Sequence, residues 1–599
     1  MNVLVVLLIS LPLFGLAYFF YANYIGRALK LDAYRPTPAV LYRDDRDFVP
    51  TQPAVIFAHH FAAIAGAGPI VGPTVALLFG YVPVWLWILV GAVFIGAVHD
   101  FTALFVSVRE GGKSMAEVAG RTLGRSGFIL FISFTIIMIV LVTAAFLGLT
   151  TKALTSLAPL ATLQLPADQT LLHTVVDNGV IKGKIGGIAS TSVIIMTLFA
   201  PLLGYFLYVR KTSVWWLTGA ATVVAVLSIY LGFLLPITFD PRVWMVLITI
   251  YTFIAAWIPV WVILQPRDFI NVQILYAGIA ALLLGIVVAG LKGVTLNAPA
   301  FNLAAASAHP ALGSVWPVLF ITVACGAISG FHALVSGGTS GKQVKSERDI
   351  LPVAYGAMLL EAVLAVCVVI VVGAGLRFPE YISLVFPAQL DQSNPVLAFS
   401  LATGNLLNLS LGIPQVFGTI FGILMLEGFV VTTLDVSVRL NRYLFEELWG
   451  AVFKKPPRIL KSYLFNSFLS VTLMLGLAST NAYITIWPIF GTGNQLLAAL
   501  TLISISAWLI VRGRPAWFTI IPALFMLATT FASLLLLLFT KYIPGGNYPL
   551  LVTDLLLLAL SFGVAAKAAQ LFIKVRKGIA FNPEIQLGTE QLAEEMHLG

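Results

Sequence analysis

The sequence predicts an all-α, polytopic membrane protein, and three observations support that prediction. Of the 599 residues, 59% are hydrophobic and only 10% are charged, whereas soluble chains carry roughly 25% charged residues. The apolar residues fall in runs long enough to cross a bilayer, which takes about 20 helical residues. The basic residues lie almost entirely in stretches between those runs. The two cysteines, Cys325 and Cys367, both fall inside apolar runs, so a disulfide framework is excluded.

We predict fifteen membrane spans. They cover residues 3–22, 54–79, 81–107, 127–150, 189–209, 214–236, 242–264, 271–291, 315–336, 352–376, 413–437, 462–480, 484–511, 516–540 and 549–573. Of the 34 Lys and Arg residues, 26 fall in connections on one face and 7 on the other. Because basic loops stay in the cytoplasm, this bias predicts an outside N-terminus and a cytoplasmic C-terminus. The net charge of +9 therefore reflects membrane topology, and the predicted partner is the lipid bilayer rather than nucleic acid.

The stretch 54–79 organises the chain. Its middle reads Gly66-Ala67-Gly68-Pro69 and then Gly72-Pro73. The prolines remove helical N–H donors and glycine holds helix poorly, so the span should break at mid-depth. Transporters use such breaks to form substrate and ion sites from free backbone groups. The alternative is a simple proline kink.

A second break is expected at Pro259, in the span 242–264, with Pro266 just past its inner end. Residues 54–236 and 242–437 then form two groups of five spans with opposite topology, each opening with an interrupted helix. That order indicates an inverted repeat with its site between the two breaks. Residues 1–53 are an N-terminal anchor helix and a cytoplasmic loop, and 438–599 are accessory helices with a short tail.

Five polar residues fall in one layer, in the inner third of the membrane. They are His59, His60, His99, Asp100 and His332. Because imidazole titrates near physiological pH and also binds metals, the layer indicates either proton coupling or cation binding. Neighbouring helical residues point about 100° apart, so His59 and His60 cannot share a face. The alternatives are histidines that are hydrogen-bonded separately in the core, and a transition metal held by the four histidines.

Other polar groups add weaker candidates. Thr339 and Ser340 offer hydroxyl oxygens suited to Na⁺, although small residues also allow close helix packing. Glu427 lies near the middle of the span 413–437 and is a candidate coupling carboxylate. Asp435 and Arg439 are four residues apart and are predicted to form an ion pair.

No ATP-binding motif of the form GxxxxGK[ST] and no HExxH metalloprotease motif occurs in the sequence. We therefore expect a gradient-driven transporter rather than an ATPase or an enzyme. A metal-dependent membrane enzyme and a nutrient sensor remain the competing classes.

Six ordered motifs resemble one family. They are FAHHFAAIAGAGPIVGP (57–73), GAVHDF (96–101), LQPRDF (264–269), SGFHALVSGGTSGKQ (329–343), TTLDVSVRLNRY (432–443) and WPIFGTGNQLLAA (487–499). Together they closely resemble the carbon starvation protein A family of bacterial inner-membrane transporters. The GGTSGKQ ending differs from the Thr-Thr-Ser-Lys-Gln ending of many members, and the C-terminus is shorter than in the long members.

The resemblance implies a LeuT-type fold of the amino acid–polyamine–cation superfamily, and uptake of short peptides or of pyruvate by proton symport. Na⁺ symport is the alternative. Both substrates carry a carboxylate, which a half-helix N-terminus attracts. We accordingly expect substrate contacts from Ala65, Gly66, Ala67, Gly68, Pro69 and Pro259. Ion coupling is expected from the five-residue polar layer together with Thr339, Ser340 and Glu427, with no resident cofactor.

Overall fold

The protein is described by a computed structural model covering residues 1–44, 48–177, 179–259, 261–389, 392–453, 455–480 and 483–576. Within these residues, 12 helices are long and apolar enough to cross a membrane, or 13 if one bent pair counts as a single span. The prediction of a multi-pass helical membrane protein is confirmed. The count of fifteen and the sides of the termini stay predictions, and the tail after residue 576 lies outside the described residues.

The main helices are numbered here in chain order. They are α1 (Val3–Ala28), α2 (Pro53–Ile64), α3 (Gly68–Ala76), α4 (Tyr81–Arg109), α5 (Met115–Leu154), α6 (Ile185–Val209), α7 (Val214–Leu234), α8 (Pro241–Trp257), α9 (Leu264–Leu291), α10 (Val315–Thr322), α11 (Phe331–Gly338), α12 (Glu347–Gly375), α13 (Pro395–Leu411), α14 (Gln415–Val452), α15 (Tyr463–Thr480), α16 (Tyr483–Val511), α17 (Trp517–Gly545) and α18 (Tyr548–Arg576). Short helices cover Pro38–Leu41, Leu77–Phe79, Leu303–Ala308 and Phe378–Val385.

The break expected in the span 54–79 is confirmed. Helix α2 ends at Ile64, α3 begins at Gly68, and the two are bent by 42°. Pro69 is the second residue of α3. A backbone N–H at that position would have no acceptor inside the helix, so proline costs no hydrogen bond there. The chain therefore restarts as a helix directly after the unwound residues 65–67.

The span predicted as continuous over 315–336 is interrupted, so that prediction is wrong. Helix α10 stops at Thr322, residues 323–330 are not helical, and α11 starts at Phe331. No proline marks this position in the sequence. The second interrupted span is therefore α10–α11.

The break expected at Pro259 takes a different form. Helix α8 ends at Trp257, and α9 begins at Leu264, so Pro259 lies between two helices rather than inside one span. Pro266 falls in the first turn of α9, where a helix tolerates proline. The QPRD stretch consequently opens α9, and its charged residues belong to a helix rather than to a loop.

Burial separates the core of the bundle from its periphery. The apolar stretches of α12 and α14 are 94% and 89% buried, whereas those of α6, α7 and α18 are each 28% buried. Helix α5 packs along both α14 and α16. Gly124 in α5 has φ 80° and ψ 177°, so a short helix precedes the long one there, close to the predicted start at residue 127.

The insertion between α5 and α6 forms a small antiparallel sheet. Its strands are β1 (Ala158–Pro159), β2 (Thr174–Asp177) and β3 (Val180–Gly183), in the order β1-β3-β2. Val175 lies opposite Lys182, and Val176 opposite Ile181.

Candidate functional site

The two interrupted spans touch where their helices stop. A Cβ atom built on Gly68 would lie 2.3 Å from the Cys325 sulfur, and one on Gly72 would lie 2.7 Å from the Thr322 carbonyl oxygen. Only glycine allows so close an approach, because any side chain would enter the facing segment. Gly68 opens α3 and Cys325 lies in the unwound segment 323–330, so the two breaks are in direct contact.

Both breaks leave backbone N–H groups without a backbone acceptor. Within the described part of the chain, no backbone carbonyl accepts from the N–H of Ala67, Gly68, Ala324 or Gly326. The first N–H groups of a helix have no partner inside it and carry the positive end of the helix dipole, which applies to Ala67 and Gly68 at the start of α3. Ala324 and Gly326 lie between two helices and offer their N–H groups alone. The contact between the breaks is thus rich in donors suited to a carboxylate. Five of the six predicted substrate residues lie here, at positions 65–69.

Pro259, the sixth predicted substrate residue, lies apart from the other five in sequence and in its contacts. It belongs to the connection between α8 and α9. The preceding residue, Ile258, accepts a hydrogen bond at its carbonyl oxygen from the Arg439 guanidinium. This connection is thus fastened to α14, and its described hydrogen bonds involve neither break.

Four buried ionisable side chains form what we call the histidine–carboxylate cluster: His99, Asp100, His332 and Glu361. His99 Nδ1 lies 2.8 Å from one Asp100 oxygen, and His332 Nδ1 lies 2.7 Å from the other. The opposite nitrogen of His332, Nε2, lies 3.3 Å from Glu361 Oε2. All four side chains are fully buried. The cluster joins α4, α11 and α12.

The His332 ring lies between two carboxyl groups, so its protonation state decides how many of them it can donate to. An imidazolium has two N–H donors and can bond Asp100 and Glu361 together, whereas a neutral ring has only one N–H donor. His332 Nε2 and Glu361 Oε2 are within ion-pair distance but form no hydrogen bond, and neither Glu361 oxygen has a hydrogen-bond partner among the described residues. A buried charge is costly in a membrane protein unless it is paired.

The remaining residues of the predicted layer, His59 and His60, have different surroundings, as their helical spacing predicts. His60 Nδ1 lies 2.7 Å from the Ser340 hydroxyl and is fully buried. His59 Nε2 has no hydrogen-bond partner among the described residues. Thr339 donates its hydroxyl proton to the Val335 carbonyl within its own turn. The structure thus brings His99, Asp100 and His332 together, places His60 on Ser340, and leaves His59 outside both groups.

The histidines do not form a metal centre of the kind considered from the sequence. Among the described residues, no group of three or more His, Cys, Asp or Glu side chains is arranged to hold a metal ion. The Nδ1 atoms of His99 and His332 point at Asp100, and that of His60 points at Ser340. The Nε2 atoms of all four rings have no hydrogen-bond partner among the described residues, but they do not belong to a group arranged to hold an ion.

A second group, which we call the arginine cluster, contains Tyr251, Arg267 and Asp435. Arg267 Nη1 lies 2.6 Å from Asp435 Oδ2, and the Tyr251 hydroxyl also donates to that oxygen at 2.6 Å. The predicted pair between Asp435 and Arg439 is wrong, because Arg439 donates instead to the Ala255 and Ile258 carbonyls at the end of α8. Arg439 thus satisfies carbonyl groups at the end of α8 that have no partner inside the helix, and Asp435 pairs with Arg267 instead.

Glu427 lies beside the arginine cluster and not in the histidine–carboxylate cluster. Its carboxyl group is fully buried, and neither oxygen has a hydrogen-bond partner among the described residues. Its charged neighbours are Arg267 and Asp435. Glu427 therefore belongs with the groups that balance the charge of Arg267.

Sequence reasoning misses three residues of these sites. It gives Glu361 no role, although a lone acidic residue in a span is itself a signal. It counts Arg267 as a loop residue, yet the side chain is only 1% exposed inside α9. Asn494, in the GTGNQ stretch, hydrogen-bonds the second break, and no local pattern indicates that contact.

The fold and these sites define a class. A multi-pass helical protein with two interrupted spans in contact, and with ionisable side chains buried beside them, has the construction of membrane transporters that bind solute at helix breaks.

Comparison with known proteins identifies the family. The family model described as Carbon starvation protein CstA matches residues 2–394 and 377–533. The chain belongs to the carbon starvation protein CstA family. It is 33% identical over 537 residues to the "Peptide transporter CstA" of Bacillus subtilis (strain 168), covering 84% of each chain. It is 31% identical over 612 residues to the "Pyruvate/proton symporter BtsT" of Escherichia coli (strain K12), covering 89% of this chain and 81% of that protein.

A solved structure with a similar overall course is that of a mutant manganese transporter from Eremococcus coleocola. It shares 10% sequence identity and a TM-score of 0.43, over 89% of this chain and 99% of that one. A similarity this low supports no conclusion about fold or cargo.

Proposed function

We propose that this protein is a secondary transporter that imports pyruvate or short peptides across the bacterial inner membrane by proton symport. Family membership and the printed names of the relatives, a peptide transporter and a pyruvate/proton symporter, support the substrate class and the coupling ion. The observation that carries the proposal is His332 placed between Asp100 and Glu361, beside the contact of the two breaks.

The carboxylate shared by both substrate types would bind at the N-terminus of α3. The N–H groups of Ala67 and Gly68 have no backbone acceptor there, and those of Ala324 and Gly326 lie on the facing break. A helix N-terminus favours an anion through its dipole as well as its donors. Gly66 and Pro69 would then shape the turn around the bound group.

Proton coupling would act through the histidine–carboxylate cluster. A protonated His332 would pair with both carboxyl groups, Asp100 by a hydrogen bond and Glu361 at ion-pair distance, and its deprotonation would weaken the hold on one of the two neighbouring helices. Because α11 begins at the second break, the proton controls how tightly one wall of the substrate site is held. Proton binding and a change of access would thereby be linked, as alternating access requires.

Na⁺ coupling is the second candidate, and the hydroxyls expected to serve it are engaged elsewhere. Thr339 donates to its own helix, and Ser340 lies 2.7 Å from His60 Nδ1. A hydroxyl that donates its proton keeps lone pairs for a cation, so these contacts do not separate the two ions. The preference for H⁺ is supported by the printed name of a relative, a pyruvate/proton symporter.

We further propose a LeuT-type five-plus-five architecture with a modified division of the chain. The first repeat would be α2–α3, α4, α5, α8 and α9, and the second would be α10–α11, α12, α14, α15 and α16. Each repeat then opens with an interrupted span, continues with a helix of the buried cluster, and places a long helix third. Residues 185–234, α6 and α7, would be an insertion.

Packing supports that division over the one at 54–236 and 242–437. The third helices, α5 and α14, pack against each other, and so do the fourth helices, α8 and α15. Helix α9 packs on α14 as α16 packs on α5, which is the contact expected from a two-fold relation. Under this division Asp100 and Glu361 sit on equivalent helices, and His332 bridges the two repeats.

The uptake assay tests the function directly. Purified protein in liposomes should accumulate labelled pyruvate or a labelled dipeptide when the outside is acidic, and an inward Na⁺ gradient at equal pH should produce no accumulation. Accumulation driven by Na⁺ alone would overturn the coupling. No uptake of either solute from folded protein, under any gradient, would favour the enzyme or the sensor.

Adding a methyl group at the contact of the breaks is expected to block transport. Gly68→Ala places that carbon 2.3 Å from the Cys325 sulfur, so one break must move. Overpacking a tight site costs about 1–3 kcal/mol, and here the displaced groups are the proposed substrate donors. Initial uptake rates per folded protein should fall at least about tenfold, the equivalent of about 1.4 kcal/mol.

Gly219→Ala is the matched control for that variant, because no atom lies within 4 Å of a Cβ built at Gly219. It should transport as the unmodified protein does. Normal uptake by Gly68→Ala would place the substrate away from this contact.

A further inference from the structure

Helix α16 packs against the second break and hydrogen-bonds its C-terminal end, where α11 begins. Asn494 Oδ1 accepts from the N–H of Phe331 at 3.0 Å, and Nδ2 donates to the Ser329 hydroxyl at 3.0 Å. The Asn494 carbonyl accepts from the N–H of Gly330 at 3.1 Å. Phe331 is the first residue of α11, so a side chain from another helix caps it.

The next residue of α16 hydrogen-bonds the N-terminal end of the same break, where α10 stops. Gln495 Nε2 donates to the Phe320 carbonyl at 2.6 Å, in the last turn of α10. The last carbonyls of a helix lack partners inside it, and in lipid an unsatisfied carbonyl costs several kcal/mol. A Cβ atom on Gly491 would lie 2.7 Å from the Ile321 carbonyl oxygen, so the backbones of α16 and α10 approach closely at this glycine.

Two consecutive residues thus fasten the two half-helices on either side of the unwound segment. Between them, the N–H groups of Ala324 and Gly326 have no backbone acceptor in the described chain. Cys325, between those two, contacts Gly68 of the first break and receives a 3.5 Å hydrogen bond from Asn494 Nδ2. Asn494 therefore bonds the middle of the unwound segment as well as the first residue of α11.

We propose that Asn494 and Gln495 are positioning residues that hold the second break in its binding-competent form. This rests on the proposed function in one respect, that the solute carboxylate binds between the two breaks. It also gives α16, which the proposed division places last in the second repeat, a direct part in the binding machinery.

The competing account is that these amides only help α16 pack. Thr492 provides the comparison, since it is on the same helix and fully buried, and its hydroxyl is 2.7 Å from Ser533 on α17. If buried polar contacts of α16 serve packing alone, losing the Thr492 contact should affect the protein as much as losing the amide of Asn494.

The experiment uses Asn494→Ala, Gln495→Ala and Thr492→Ala in the full-length chain carrying Cys367→Ala. Cys325 is then the single thiol, since the sequence has two cysteines. The first readout is the rate at which a small maleimide alkylates Cys325 in folded protein. We expect a severalfold increase for Asn494→Ala and Gln495→Ala, because a loosened break exposes the thiol, and no change for Thr492→Ala.

The second readout is uptake, separated into KM and Vmax. Loss of one capping hydrogen bond that orients the donors should raise KM by about tenfold with a smaller change in Vmax, since a hydrogen bond of about 1.4 kcal/mol corresponds to tenfold in affinity. Asn494→Asp keeps the acceptor for the Phe331 N–H and should recover part of the alkylation protection. Ser329→Ala removes the contacts of that hydroxyl with Asn494 and Cys325 but leaves the Asn494 cap on Phe331, and it serves if Asn494→Ala does not fold.

Equal alkylation rates in Thr492→Ala and Asn494→Ala would overturn the proposal, as would unchanged alkylation and KM in both amide variants. If alkylation rises as expected while KM is unchanged, the capping role stands and the substrate lies elsewhere, which counts against the proposed binding position instead.

Discussion

Replacing His332 with alanine is expected to abolish uptake driven by a pH gradient while leaving the protein folded. His332 Nδ1 and Nε2 lie 2.7 Å and 3.3 Å from Asp100 and Glu361, so the variant loses both links of the histidine–carboxylate cluster at once. Without the ring, no group at this position gains a donor on protonation. The measurement is accumulation of labelled pyruvate or dipeptide in liposomes, with and without an acidic exterior.

Exchange of labelled for unlabelled solute at equal pH separates coupling from binding. It should persist in His332→Ala, because exchange needs the substrate site but no net proton movement. His99→Ala should also abolish pH-driven uptake, since the Asp100 carboxylate then loses one of its two imidazole partners. Glu361→Gln keeps the side-chain shape and should weaken the coupling. His309→Ala, outside the cluster, is the control. Gradient-driven accumulation by His332→Ala and His99→Ala would exclude the cluster from coupling.

The first break can be predicted from the sequence because its cause is local. Proline and glycine at positions 66–73 act on the helix that contains them, whatever surrounds it. The second break has no such cause. Residues 323–330 unwind where Asn494 and Gln495 supply the missing hydrogen bonds from a helix far along the chain. Single-sequence reasoning sees neither the partner nor the compensation, so it predicts a continuous span.

The polar layer shows the same division between what is local and what is not. Counting residues along spans places His99, Asp100 and His332 at one depth, and the structure joins them. Which of His59 and His60 turns inward depends on neighbouring helices, and only packing decides it. Arg267 resembles a loop charge because charged residues usually mark loops. Its partner Asp435 is 168 positions away, and that pairing offsets the cost of burying the charge.

The arginine cluster should dominate stability where α8, α9 and α14 meet. Arg267 and Asp435 are 1% and 0% exposed and 2.6 Å apart. Arg267→Ala leaves the Asp435 carboxylate buried without its cation, and breaking one side of a buried pair costs about 3–5 kcal/mol. Denaturant titration in mixed micelles should show that loss in the free energy of unfolding. The Tyr251 hydroxyl, still donating to Asp435, is too weak a partner to compensate.

The double variant Arg267→Met with Asp435→Leu distinguishes the loss of the ion pair from the loss of side-chain packing. It removes both charges and retains apolar volume, so it should be more stable than Arg267→Ala alone. Arg377→Ala provides the control, because Arg377 and Glu380 form a pair that is 79% and 42% exposed, and its loss should leave the unfolding midpoint unchanged. Equal losses in the single and double variants would mean that Arg267 stabilises the bundle by packing of its side chain, and that its charge is not what Asp435 requires.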